Sequence, residues 1–489
     1  IQSYLPNVPK RSFINDIEAS NHNSKTVFAS ADAHKLGDYR PYLFMSDNRG
    51  LTWKSITGDL PNKTIVWVIK QDFIDENLLF IGTEYGIYFS PNKGVNWVKL
   101  STGVPTIAFR DIELHSRDND LVGASFGRGF YVFDDYSPLR NINEVLINNS
   151  NTLFAVRDAW WYIPNIPMQA KGMPSQGTSN FKADNPPFGA LFTYLINELP
   201  KNSTTERQDE EKLLEDKNSN IPFPGWSELF EEEQDDKPQV LLSVSDAEGN
   251  SIRWIKGISA KGLHRVNWDL RLPPPNPINL SQPAFKPPWV GNPQGPLVAP
   301  GKYGVTLYML HNGKLNKLAD TQMFTIKPVP TTIQNTNFEV IAQFQVKTSE
   351  LLRQVLSVGK KLDEASKRIK FMNAALLEIS GLRPKLFADL KQLETSLADL
   401  KMRMYGNPIR QRLNESSTPT FQSRIWNVVS GHWDTRQNPT ETQRRNIEIA
   451  ENEFDEFRKV LSTYLSNLKI FEEAMESAGA PYTPGRQFD

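Results

Sequence analysis

Cysteine is absent from the sequence. Disulfides, thiolate zinc sites, iron–sulfur clusters and cysteine nucleophiles are therefore excluded. Net charge is nearly absent as well, because 55 Lys and Arg residues are balanced by 56 Asp and Glu residues. A phosphate backbone binds to a basic surface, so this balance argues against a nucleic-acid partner. Apolar runs of the ~18 residues that a membrane-spanning helix needs are also missing, and we expect no membrane-spanning segment.

Patterns typical of cofactor and metal sites are missing too. The sequence has no phosphate-binding loop and no nucleophile elbow of a serine hydrolase. The histidines His115, His264, His311 and His432 are isolated, without other ligand residues at the spacing of a metal site. We therefore expect neither a cofactor nor a metal ion, and the sequence identifies no catalytic residue.

What the sequence does contain is length, aromatic residues and a repeat. Its 489 residues predict about three domains, and 11 Trp and 27 Phe residues supply apolar cores. The segments Ser46–Trp53 and Ser90–Trp97 both read Ser-x-Asn-x-Gly-x-Thr/Asn-Trp and begin 44 residues apart. This is the Asp-box pattern of a hairpin turn. Its Ser and Asn side chains bond the turn backbone, its Gly accepts a positive φ, and its Trp fills the space between repeats.

Strand patterns repeat around these two turns. Strand A is predicted at 15–19, 66–69 and 110–114, strand B at 27–30, 79–83 and 121–125, and strand C at 42–45, 86–89 and 129–132. A spacing of ~40–50 residues with four strands per unit is typical of a propeller blade. The third unit has lost its box, and three blades cannot close a ring that needs at least ~4. We expect the missing blades upstream in the same protein or on a separate chain.

The remainder predicts two further domains. Short alternating strands bounded by turns predict an immunoglobulin-like β-sandwich over 188–330, with an acidic insertion at 201–237 and a proline-rich insertion at 272–298. Residues 1–140 then hold the last blades, and 141–187 form a linker. The fold class is thus multidomain: propeller blades in an incomplete ring, a sandwich and a helical bundle.

A helical period begins near Thr336 and predicts an α-helical bundle over 331–489. Thr440 and Gln443 stand at the spacing of a capping box, which predicts the start of a long helix toward Ala478. A coiled-coil helix that pairs with a partner is the alternative interpretation of this helix.

Several motifs resemble those of large bacterial BNR-repeat, sortilin-like "glycosyl hydrolase" propeller proteins, common in Bacteroidota. The matching stretches are Leu79–Trp97, Gly123–Phe130 with Asp134 and Asp135, Asn185–Ala190, Asn267–Arg271, Ser423–Ile425 and Gly479–Arg486. The resemblance implies that the chain is the C-terminal portion of such a protein, exported to the periplasm, cell surface or extracellular space. The hydrolase name in that family comes from the repeat, and a fold does not carry a function.

Candidate ligand residues follow from the predicted blades. Box hairpins join strands C and D, so loops B–C and D–A emerge on the opposite face, where propellers usually bind ligands. The candidates there are Asp32, His34, Asp38, Arg40, Asp59, Glu84, Tyr85 and Arg128. Arg128 is the strongest of them, because Gly127 and Gly129 let its backbone approach a ligand, although both glycines equally suit a tight turn. Acids are common in turns, so a solvated role is the alternative for each.

Two functions remain open at this point. The chain is predicted to belong to a non-catalytic surface protein that binds a polypeptide or a glycan, or serves in an outer-membrane assembly. The alternative is a glycoside hydrolase, which needs two carboxylates ~5–9.5 Å apart and whose site the missing blades would complete. The aromatic run Trp160–Tyr162 fits a domain-junction core better than the alternative, a sugar platform.

Overall fold

The computed structural model describes most of the chain. Sheets form most of the described chain up to Pro328, with two helices in the acidic insertion, and helices dominate from Phe338, which confirms the predicted change from β-structure to helix. Among the described helices, none has the length and apolar character needed to span a membrane. The described residues are 5–101, 103–142, 150–164, 185–281, 285, 287, 290–330, 336–381 and 383–486.

Three sheets follow one another at the start of the chain, each with its strands bonded in sequence order. We call them the first, second and third meanders. Within the described residues the third has three strands rather than the four expected of each unit, and it is the unit without the turn motif. The strands are β1 Phe13–Ala19, β2 Val27–Ala33, β3 Asp38–Ser46 and β4 Lys54–Ser55; β5 Val66–Gln71, β6 Leu79–Thr83, β7 Gly86–Ser90 and β8 Val98–Lys99; and β9 Phe109–His115, β10 Asp120–Ser125 and β11 Phe130–Phe133.

The two repeated turns have the same hydrogen bonds. In the first turn, Gly50 N donates to Ser46 Oγ at 2.8 Å and Thr52 N donates to Asn48 Oδ1 at 2.9 Å. Gly50 has a φ of 85°, a value that glycine tolerates without a Cβ clash. Equivalent atoms make these bonds at 2.8 and 2.9 Å in the second turn, which is formed by Ser90, Asn92, Gly94 and Asn96.

The meanders pack face to face through apolar seams. Phe28 and Leu43 of the first meander bury against Ile69 and Ile81 of the second. Trp97 closes this seam, since its Nε1 donates to Ile56 O of the preceding meander at 3.0 Å. The seam between the second and third meanders is a separate cluster that includes Phe80, Phe109 and Ile112. Each seam buries several large side chains, at about 1.5–3 kcal/mol apiece.

A buried ion pair fastens the end of the third meander to the second. Asp72 is fully buried and accepts bonds from Arg140 Nε at 2.8 Å, Arg140 Nη2 at 2.9 Å and Tyr136 Oη at 2.7 Å. Burial opposes ionisation of Asp72, but these donors and the backbone N–H of Asp75 outweigh it and hold the pKa of the carboxyl below its usual range. The carboxylate therefore acts as a hub between the two meanders.

Two sheets with a common core follow. They contain β12 and β14 with β17, and β13, β19, β18, β15 and β16, in those orders. Phe192 and Trp268 of one sheet and Leu307 and Phe324 of the other share one apolar cluster. The bounds are β12 Thr152–Leu153, β13 Ala159–Trp161, β14 Ala190–Ile196, β15 Gln239–Ser245, β16 Ser251–Lys256, β17 Gly262–Trp268, β18 Gly301–His311 and β19 Lys314–Pro328.

The predicted linker needs correction where it is described. Residues 152–153 pair with β14, and 159–161 pair in parallel with β19, so both belong to these sheets. Trp161 is buried in their core, which supports the core interpretation over the sugar platform. These strands are too short to show alternation, and their partners lie far away in sequence. Linker residues 143–149 and 165–184 lie outside the described residues, as do 282–284, 286 and 288–289 of the proline-rich insertion.

One arginine joins the third meander to these sheets. Arg265 on β17 donates to Asp134 O at 2.5 Å and Asp135 O at 2.6 Å, and its guanidinium lies 4.4 Å from the Phe133 ring centroid. Burial lowers the pKa of Arg265, because desolvation opposes its charge.

Helices complete the chain. Those of the acidic insertion are α1 Ser203–Asp216 and α2 Trp226–Gln234. The C-terminal helices α3, α4, α6 and α7 bury their apolar stripes in one core, which supports the bundle over a coiled-coil partner. The capping box of α7 is present, with Thr440 N bonded to Gln443 Oε1 and Gln443 N to Thr440 Oγ1. The bounds are α3 Phe338–Leu376, α4 Pro384–Tyr405, α5 Pro408–Arg412, α6 Phe421–His432 and α7 Glu441–Ser477.

The Asp72 hub predicts a large effect of removing its cation. Arg140→Met leaves a buried carboxylate unpaired, so we expect a loss of about 3–5 kcal/mol in the free energy of unfolding, measured by urea denaturation. The pKa of Asp72 is lower in the folded state, so its contribution is present above about pH 4 and lost as the pH falls. Arg140→Met should abolish that contribution.

The matched control is Arg117→Met, which removes an arginine that is 80% exposed and paired with Asp118. We expect a change below about 1 kcal/mol there. Equal losses in the two variants would contradict the role of the hub.

Candidate ligand-binding surface

The connections between strands B and C lie together at one end of the three meanders. They comprise residues 34–37, 84–85 and 126–129, while the two repeated turns lie at the other end, between strands C and D. We call the surface formed by these connections and the start of each strand A the B–C face. Side-chain contacts run across it from the first meander to the third.

Trp67 is the centre of the B–C face. Its indole is 8% exposed, and its Nε1 donates to Glu84 Oε2 at 3.0 Å. The guanidinium carbon of Arg110 lies 3.4 Å from the ring centroid, and the His34 ring meets the indole edge-on with centroids 5.9 Å apart. Trp67 therefore links one side chain from the first meander, one from its own and one from the third.

Arg110 connects the buried Trp67 to the solvent-exposed surface of the B–C face. Its Nη2 lies 3.8 Å from Glu84 Oε2, and its side chain is 43% exposed. The guanidinium also lies 5.4 Å from the ring centroid of Phe126, which is 72% exposed. A cation held over an aromatic face gains about 0.5–2 kcal/mol. The result is an open aromatic and cationic strip.

The acids of the first meander are occupied by local partners. Asp32 is 2% exposed, accepts from His34 N at 3.2 Å and contacts His34 Nδ1, so it orients that ring. Asp38 accepts from Arg40 Nη2 at 2.7 Å and from Tyr42 Oη at 2.7 Å. The Arg40 bonds hold the pKa of Asp38 well below its usual range, and burial with the Asp38 contact raises the pKa of Tyr42 to about 12.

The prediction that Asp59 lies on the B–C face is wrong. Its carboxylate accepts from Trp97 N at 2.7 Å and from Asn96 Nδ2 at 3.2 Å, beside the repeated turn of the second meander. Strand β4 has only two residues, so the connection after it passes that turn before it reaches β5. Asp59 therefore stabilises a seam at the opposite end.

Arg128 and Tyr85 are both exposed on the B–C face, Tyr85 by 49%. Gly127 and Gly129 have φ values of 80° and 74°, and a Cβ at either would meet no heavy atom within 4 Å. The glycines are therefore needed for the turn rather than for close approach to a neighbouring group. Arg128 forms no ion pair with any described residue and remains available to a ligand.

Sequence reasoning missed Trp67, Arg110 and Phe126. Trp67 and Arg110 stand at equivalent places, where a β-bulge interrupts the pairing of strands A and B. Asn15 has the same place in the first meander and donates to Val66 O at 2.9 Å. A bulge changes the direction of a side chain. Alignment of the three A strands would have shown that the residue at this position varies, while the Ile two residues later is the same in all three.

His115 is not isolated, contrary to prediction. The turn between β9 and β10 brings His115, Asp118 and Asp120 together, with ligand atoms within 4.8 Å of one another. Arg117 lies 2.7 Å from Asp118, however, and Arg157 lies 3.5 Å from Asp120. Both carboxylates are thus already faced by cations, and the cluster forms an ion-pair network at the end opposite the B–C face.

No protein-family model matches the chain, and no curated protein matches it either. Solved structures show some likeness. The GH74 xyloglucanase from Xanthomonas campestris is 14% identical with a TM-score of 0.22, over 26% of this chain and 22% of that chain. PorZ, a surface component of the type-IX secretion system of Porphyromonas gingivalis, is 12% identical with a TM-score of 0.23, over 64% and 30%. The extracellular domain of BT4673 from B. thetaiotaomicron is 11% identical with a TM-score of 0.18, over 65% and 31%.

This chain therefore spans less than a third of the length of each of those three chains. TM-scores of 0.18 to 0.23 assign neither a fold nor an activity. The resemblance to BNR-repeat proteins stays a prediction, and the function has to be argued from the B–C face itself.

The geometry separates the structural centre of the face from its exposed rim. Trp67→Ala removes the ring that Arg110 and His34 contact, so we expect the free energy of unfolding to fall by about 3–5 kcal/mol. Phe126→Ala removes an exposed ring and should change it by no more than about 0.5 kcal/mol. Urea denaturation of both variants checks this. A Phe126→Ala variant as unstable as Trp67→Ala would contradict the assignment.

Proposed function

We propose that this chain belongs to an exported propeller protein and that its B–C face binds a polypeptide or a glycan without catalysis. The observation that carries the proposal is the strip formed by Trp67, Arg110 and Phe126, which crosses the seam between two meanders. Trp67 is buried beneath Arg110, and the side chains of Arg110 and Phe126 are open to solvent. Tyr85 and Arg128 are exposed beside it.

The residue types of this strip suit recognition. Trp, Tyr and Arg dominate binding hot spots, because they offer large contact areas together with polar atoms. Aromatic faces also stack on sugar rings. Arg110 is already held in place by Trp67 and Glu84, so little side-chain entropy is lost when a ligand binds. The strip is therefore organised before a ligand arrives.

The acids of the face support binding over hydrolysis. A glycosidase needs one carboxylic acid that protonates the leaving group and a second carboxylate that acts as base or nucleophile. Asp32 is buried against His34, Asp38 is bonded by Arg40 and Glu84 accepts the Trp67 N–H. Glu84, with 33% of its side chain exposed, is the residue that a hydrolase completed by other blades would use.

We also propose that the meanders are blades of a ring that further blades complete. Leu60 leads into the second meander and packs with Trp97. Leu5 leads into the first in the same Leu-Pro-Asn sequence and packs beside Trp53. Trp97 donates to the preceding meander, whereas Trp53 donates to Gly50 O of its own turn. This difference supports a preceding neighbour for the first meander.

The binding proposal predicts that Arg110→Ala weakens binding. With a panel of immobilised polysaccharides and denatured polypeptides, we expect the 489-residue chain to bind a member of one class, and Arg110→Ala to raise Kd at least about tenfold. Arg117→Ala, an exposed arginine at the opposite end, is the matched control and should leave Kd unchanged.

Reducing ends are measured in the same assay. If the chain releases reducing ends from a polysaccharide and Glu84→Gln abolishes the release, the chain is a hydrolase and the binding proposal is wrong. Equal binding by Arg110→Ala and wild type would show that the B–C face takes part in neither function.

The blade proposal predicts self-association of the chain on its own. Phe130 and Val132 on the outer face of the third meander are 76% and 57% exposed, and an apolar face of this kind should seek a neighbour. We expect oligomers in sedimentation velocity and a monomer for Phe130→Lys with Val132→Lys. Leu51→Lys with Val95→Lys, at exposed turn positions, is the control. A cooperatively melting wild-type monomer would contradict the proposal.

A further inference from the structure

The acidic insertion carries apolar side chains that its own fold does not bury. Helix α1 has no buried residue, and Glu232 is the buried residue of α2. Exposed apolar side chains cluster toward the end of the insertion far from the sheets. They are Leu213 at 58%, Ile221 at 43%, Phe223 at 63%, Trp226 at 80% and Phe230 at 64% exposed. Large exposed apolar patches of this kind mark interaction sites.

Three of these rings form a continuous surface. Trp226 and Phe230 are one helical turn apart, which places them on the same side of α2. The ring of Phe223 meets that of Trp226 edge-on, with centroids 5.1 Å apart. We call this surface the aromatic ridge. Trp is among the residue types most enriched in binding hot spots.

Polar contacts, rather than these rings, hold the insertion in place. Arg207 on α1 lies 2.7 Å from Glu232 on α2 and 2.6 Å from Glu211. At the base, Ser203 N donates to Asp235 Oδ2 at 2.6 Å and Asn312 Nδ2 donates to Asp235 Oδ1 at 2.7 Å, which ties the insertion to the turn between β18 and β19. Replacing the aromatic ridge should therefore leave the insertion folded.

The charge around the aromatic ridge determines the chemistry of its partner. Residues 201–237 carry 12 acidic and five basic side chains, a net charge of −7 in a chain whose total is −1. Glu228, Glu231 and Glu233 on α2 are all exposed. Glu233, seven residues after Trp226, lies on the ridge side of α2, whereas Glu228 lies on the opposite side. The net charge of the insertion repels anionic lipids and phosphates and attracts lysine and arginine.

We propose that the aromatic ridge is the docking site of a basic amphipathic polypeptide segment. Apolar side chains of that segment cover Trp226, Phe230 and Phe223, and its lysines or arginines face Glu233 and the other acidic side chains of the insertion. Both partners are amphipathic, and the segment binds through its apolar face. The surface is separate from the B–C face, so one chain holds two partners of different chemistry.

The test uses the whole chain and a synthetic helical peptide of lysine and leucine with amphipathic spacing. Fluorescence polarisation of the labelled peptide should show binding that weakens as salt is raised. Trp226→Ala with Phe230→Ala should raise Kd at least about tenfold. Glu228→Gln, Glu231→Gln and Glu233→Gln together should raise Kd at low salt and flatten the salt dependence.

Controls separate this surface from general stickiness. Phe371→Ala with Leu377→Ala removes side chains that are 51% and 74% exposed on the bundle and should leave Kd unchanged. A glutamate and leucine peptide of the same spacing should not bind. Equal binding of both peptides, or binding unaffected by the Trp226 and Phe230 changes, overturns the proposal. So does ridge-dependent binding to phosphatidylcholine vesicles without peptide binding. Circular dichroism confirms that each variant is folded.

Discussion

The constraint on which the sheet region depends is that a four-stranded meander has two apolar faces and cannot bury both by itself. Each meander therefore packs on a neighbour, through Trp97 in one seam and Phe109 in the next. Stacking in register brings the B–C connections of all three to one end and the repeated turns to the other. The same constraint leaves Phe130 and Val132 exposed on the outer face of the last meander. The stacking of the meanders, the position of the B–C face and the expected neighbouring blades thus all follow from the need to bury both faces of each meander.

The proposed binding surface lies where the seams reach the B–C face. Trp67, Arg110 and Asn15 occupy equivalent bulged positions, so they have the same backbone setting but different side chains. A regular sheet would point such side chains into a seam or away from it, whereas a bulge turns them toward the rim. The half-exposed Arg110 belongs to the surface, whereas the buried Trp67 supports it from below. This arrangement explains how a repeated scaffold presents a non-repeated surface.

Local features could be predicted from the sequence, and long-range ones could not. The Ser-x-Asn-x-Gly turns, the strand positions and the capping box at Thr440 depend on neighbours within a few residues. Asp59 was misplaced because β4 is short and the following connection crosses a seam. The stack of Arg110 on Trp67 joins strands 43 residues apart and depends on bulges that propensity does not reveal. The short strands at 152–153 and 159–161 are set by distant partners.

We propose that a ligand lies on Arg110 and Phe126, above the buried Trp67. Hydrogen–deuterium exchange of the whole chain, with and without the ligand found by the panel, tests it most directly, because it reports the contact surface without mutation. We expect protection concentrated in residues 32–40, 65–67, 84–86, 108–110 and 125–130. Protection confined to the repeated turns at 46–53 and 90–97, or to the helical bundle, would contradict it.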